Sequence, residues 1–123
     1  MFDNGQDLIA TNDRAITALN QVLAQLHKLL IGALPQENSF LQAQISRTTS
    51  QIDLLHISNA HLEAAGVNIQ PLSAQAKDDL LDAFNRVDQA IVQNAIIGAG
   101  IDTINDVFSA VAKIGSITHD AAA

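Results

Sequence analysis

The chain has 123 residues, of which 48% are apolar and 15% charged, with no Cys, Trp or Tyr and a formal net charge of −7. This length and apolar content suit one domain with a buried core and exclude a disordered chain. The lack of Cys excludes disulfides, thiolate nucleophiles and Cys-bound metals, and six Lys and Arg against thirteen Asp and Glu leave no basic patch for nucleic acid or anionic lipid.

The first element in chain order covers residues 7–33. Ile9, Ile16, Leu23 and Leu30 recur at heptad spacing, and Asn12, Leu19, Leu26 and Ala33 fill the alternate positions. Leu8, Ala15, Val22 and Leu29 broaden the stripe. This pattern predicts a long amphipathic helix of a multi-helix bundle. Asp3 and Gln6 match a capping box at its start, and Gly32 with Pro35 closes it. The N-terminal residues are acidic and lack a basic n-region, so no cleaved signal peptide is read and a cytoplasmic protein, or one exported without such a peptide, is expected.

A second helix is predicted over 36–65, on the stripe Leu41, Ile45, Thr48, Ile52, Leu55, Asn59 and Leu62. Ser39 and Gln42 match a capping box, with an earlier start at Pro35 as the alternative. Gly66 suits the position after the helix because it tolerates positive φ, and 67–72 then form a connector. A third helix is predicted over 74–97 with Ser73 as N-cap, and Asp78 and Asp79 near its positive end. Gly98-Ala99-Gly100 follows, read as a turn, a kink or a tight helix crossing. Beyond it Ile101, Ile104, Phe108 and Val111 resume helical spacing over 101–115, against a strand reading at 97–104 that rests on β-branched content. The tail from Ser116 is expected to fray. No uncharged stretch reaches the roughly 20 residues of a membrane span. The fold class is therefore all-α: a three- or four-helix antiparallel bundle, elongated in one variant, built on a long N-terminal αα-hairpin and forming one domain.

Polar residues on the seams carry the most specific information. Asn12, Thr48 and Asn59 occupy core-type positions, with Asn94 and Asn105 close to the third stripe. A buried amide must find a partner, so such residues are expected to set helix register. The segment 90–114 is apolar on more than one face, and a helix of that kind is either central or covered by a partner chain. On the second reading Ile97, Ile101, Ile104, Phe108 and Val111 form a self-association interface, and Ala95, Gly98 and Ala99 allow close helix packing there.

Candidate chemistry is sparse. Asp53, His56 and Glu63 lie towards one side of the second helix, but the chain holds two Glu and no Glu-x-x-His pair, so no carboxylate-bridged metal site and no cofactor are expected. Asp53, His56 and Ser58 diverge on a helix, and no nucleophile elbow or phosphate loop is present. Nine Asn and eleven Gln supply as much polarity as the nineteen charged residues. A surface so poor in charge meets another protein at low desolvation cost. The expected function is non-enzymatic: a structural protein that self-associates into a homo-oligomer, in one form an extended assembly. The alternative is a small acidic binding module (a chaperone, immunity protein or adaptor) for a basic protein partner.

Overall fold

The structure is a computed structural model that describes residues 4–92 and 101–122, and of 101–103 the backbone alone. Four helices follow one another: α1 Gly5–Ile31, α2 Pro35–Ala65, α3 Ala74–Val92 and α4 Ile101–Ala122. Asn4 opens α1 by accepting a hydrogen bond from the Asp7 amide at 3.0 Å. Pro35 begins α2, where its missing N–H costs nothing. Ser73 caps α3, its Oγ accepting from the Ala76 amide at 3.1 Å.

Gly66 ends α2 with φ 59°, a backbone angle at which a Cβ crowds the following carbonyl. Nothing else lies within 4 Å of the position a Cβ would take, so backbone geometry alone sets the cost of adding one. Gly66→Ala is expected to lower unfolding free energy by about 1–2 kcal/mol, measured by urea unfolding beside the parent chain.

Chain neighbours run antiparallel, which makes α2 and α4 parallel. Arg47 lies over Phe108, Leu55 lies near Gly115, Ser58 bonds Thr118, and His61 faces His119, in the same order along both helices. Both α1 and α4 touch all three other helices, whereas among the described residues α2 and α3 do not meet. So α1 and α4 form the short diagonal of the bundle, and α2 and α3 stand at opposite corners. One hydrophobic cluster draws on all four helices, including Leu19, Leu26, Leu55, Leu80, Ile104 and Phe108.

This placement corrects several expectations. On α1 the deepest line is Leu8, Asn12, Ala15, Leu19, Val22 and Leu26, all fully buried, while Leu23 is half-buried. Leu8, Ala15 and Val22, read as flanking, are central because α1 must face three helices rather than one, while Leu29 of the same row is 40% exposed. The tail does not fray: α4 continues to Ala122, with Ile117, Thr118 and Ala121 buried and the Ala121 carbonyl accepting from the Gln70 amide at 2.7 Å. Residues 101–104 are helical, not a strand. Described α3 ends at Val92, so the reading of 93–97 as helix lies outside the described residues, as does Gly98-Ala99-Gly100.

Candidate functional site

Two regions concentrate the polar and unpaired features of the molecule. The first is inside it. Asn12 of α1, Ser58 of α2 and Thr118 of α4 are buried where the three helices converge. The Asn12 Nδ2 donates to Ser58 Oγ at 3.5 Å, Ser58 shares a hydrogen with Thr118 Oγ1 at 3.0 Å, and Thr118 Oγ1 donates to Asn12 Oδ1 at 3.1 Å. With Ser58 donating to Thr118, the three bonds close a ring in which each group both gives and accepts. Asn12 Nδ2 also donates to Asn59 Oδ1 at 2.8 Å, and Asn59 Nδ2 donates outward to Asp13 Oδ1 at 3.1 Å. A closed network of this kind polarises its members and leaves any slipped register with unsatisfied buried groups.

Asn12 and Asn59, picked out in the sequence, thus meet each other. Thr48 does not join them: it is buried, but its hydroxyl donates to the Gln44 carbonyl of its own helix at 2.7 Å. Ser58 and Thr118 were missed. Neither interrupts an apolar stripe in a way that sequence spacing exposes, and their burial follows from the convergence of α2 and α4. Asn105 is exposed, and Asn94 lies outside the described residues.

The proposed C-terminal interface is corrected where it is described. Ile104, Phe108 and Val111 are sealed in the chain's own core, at 1%, 0% and 2% exposure. The physical reason is the position of α4 on the short diagonal: a helix that packs against three others is apolar around most of its circumference without any partner chain. Ile97 and the side chain of Ile101 lie outside the described residues, as do Ala95, Gly98 and Ala99.

The second region is the outer face of α2 with its neighbour α4. The buried line of α2 is thin: Leu41, Thr48, Leu55 and Leu62, with Ser58 beside it. Phe40, Ala43, Arg47, Ser50, Leu54 and Ile57 form a second row at 3/4 spacing, continued by His61 and Ala64, and every one of them is exposed. At 100° per residue this row lies about 100–160° around the helix from the buried line, on the flank that meets α4, so α2 carries apolar residues on two faces and has almost no net amphipathicity. Leu54 and Ile57 are 64% and 50% exposed.

They form one wall of a groove of about 380 Å³ whose other wall is α4, with Ala112, Ser116 and His119 along it and Gly115 at its floor. Farther up α4, Asn105 and Ser109 continue that wall at the same spacing, both exposed. No side chain in either row is acidic, in a chain of net charge −7. Gln51 also lines the groove, and its Oε1 is buried with no hydrogen-bond partner among the described residues, so a donor brought by an occupant would stabilise it.

The carboxylates lie elsewhere. On α3, Asp79 pairs with Lys113 at 3.6 Å, Asp82 with Arg86 at 3.1 Å, and Asp88 with Arg14. Asp53, His56 and Glu63 are each exposed on α2. Among the described residues no group of three or more His, Asp and Glu is placed to hold a metal ion, and no helix is long and apolar enough to cross a membrane. No protein-family model matches this chain, and neither a curated protein nor a solved structure matches it.

Proposed function

We propose that this chain is a non-enzymatic association protein, that its partner is a further copy of itself, and that the contact is the α2–α4 face rather than the C-terminal segment. The observation that carries the reading is the second row on α2, apolar at Phe40, Leu54 and Ile57, which are 47%, 64% and 50% exposed. Heptad spacing on an unpartnered face is what a packing helix presents to another helix. Charge supports a second copy as occupant. Two molecules of charge −7 repel one another, and the acid-free face is where they approach without opposing carboxylates. Its uncharged small side chains add little desolvation cost.

Light scattering after size exclusion, at several concentrations, tests this. The parent chain is expected to gain mass with concentration, and Leu54→Asp to shift the association constant at least about tenfold, since burying an unpaired carboxylate costs more than 1.4 kcal/mol. A parent chain that stays monomeric throughout removes the reading. Salt-sensitive capture of a basic protein by that monomer would then favour the acidic binding module. That alternative draws on the net charge, but three α3 carboxylates already have cationic partners within the chain.

A further inference from the structure

We infer that His61 and His119 form a clamp for a divalent transition metal across α2 and α4, at the His119 end of the groove. These two side chains are 58 positions apart in sequence, and the fold sets their rings with centroids 6.2 Å apart and planes tilted by 39°. A metal binds an imidazole nitrogen at about 2.0–2.1 Å, which places it roughly 3.2 Å from that ring's centre. Two imidazoles on one ion therefore have centroids about 5 Å apart at the tetrahedral angle and about 6.4 Å apart when opposed. The observed separation falls inside that span, so the fold holds the two rings at a spacing that one ion can bridge.

The surroundings favour a cation. His61 precedes the end of α2 at Ala65, and His119 lies in the last turn of α4. Because the two helices are parallel, the negative ends of both macrodipoles converge at this end of the bundle. Both rings are exposed, so an ion reaches them without opening the core. Imidazole donors select zinc, copper or nickel over magnesium and calcium. With two protein ligands, the remaining coordination positions go to water.

The clamp exists only in the folded chain, so a metal that uses it raises thermal stability by mass action. The test is melting of the chain with and without ZnCl2, and separately NiCl2, followed by EDTA. The expected result is a rise in Tm of roughly 5 °C or more at millimolar metal, reversed by EDTA. It should be abolished in His61→Ala and in His119→Ala, and retained in His56→Ala. MgCl2 should give no rise. The three histidines are exposed, so the fold survives each of these substitutions. A rise that persists in His61→Ala, or that His56→Ala removes, overturns the clamp, as does the absence of any rise with zinc and nickel. Repeating the measurement in Leu54→Asp separates this site from self-association: the clamp predicts the same rise in a chain that no longer assembles.

Discussion

Asn12→Ala is expected to lower the unfolding free energy by about 2–4 kcal/mol. The carboxamide is fully buried and joins three helices at once. Its removal opens a cavity, leaves Asn59 Oδ1 without its 2.8 Å donor, and breaks the ring that Ser58 and Thr118 complete. Each buried polar atom left without a partner carries its whole desolvation cost, whereas removing the three ring members together does not, and half-buried Asn59 then turns to water. The triple variant Asn12→Leu, Ser58→Ala, Thr118→Val should therefore recover most of the loss and unfold within about 1 kcal/mol of the parent. Chemical denaturation followed by circular dichroism measures both. If the triple variant is as unstable as Asn12→Ala, the ring stabilises this fold through more than mutual satisfaction. If Asn12→Ala is nearly neutral, the ring is not a determinant of stability at all.

How far this architecture was legible in the sequence can be judged from the same residues. Asn12 and Asn59 stood out because each interrupts an apolar stripe, and an interruption of a stripe is visible without coordinates. Their meeting depends on α1 and α2 being antiparallel, which the short turn before Pro35 dictates. Ser58 and Thr118 could not be found in this way. They are buried because α2 and α4 run parallel and close, and that pairing joins segments 60 residues apart.

The apolar character of 104–114 was legible, but its cause was not. Periodicity reports how much of a helix is covered and is silent on whether its own chain or another one covers it. Ile104, Phe108 and Val111 are covered by α1, α2 and α3, since α4 occupies the short diagonal. The exposed row of α2 illustrates the converse. Leu41, Ile45, Thr48 and Ile52 catch the eye as a seam, and a second row diluted by Ala43, Arg47 and Ser50 is hidden until the first is seen to be the buried one.

Phe108→Ala is expected to be the most damaging single change, lowering stability by about 3–5 kcal/mol. Phe108 is the largest of the fully buried side chains, and its ring is covered on the α2 side by Arg47, whose guanidinium carbon lies 4.4 Å from the centroid. The guanidinium itself closes the core edge over the ring, and the contact adds about 0.5–1 kcal/mol at such an exposed cation. Phe108→Leu keeps most of the volume and should cost about 1–2 kcal/mol, a loss that leaves a marginally stable domain folded.

That conservative variant separates the two uses of apolar surface in this chain. If Phe108 belongs to the molecule's own interior, Phe108→Leu lowers the midpoint of denaturation and leaves the association constant of the folded chain unchanged. Leu54→Asp should do the reverse, because a side chain already 64% exposed contributes little to the interior. Measuring stability and molar mass on both variants settles which row faces inward and which faces a neighbour. Loss of assembly in Phe108→Leu with Leu54→Asp unaffected would return the contact to α4 and remove the α2 face from consideration.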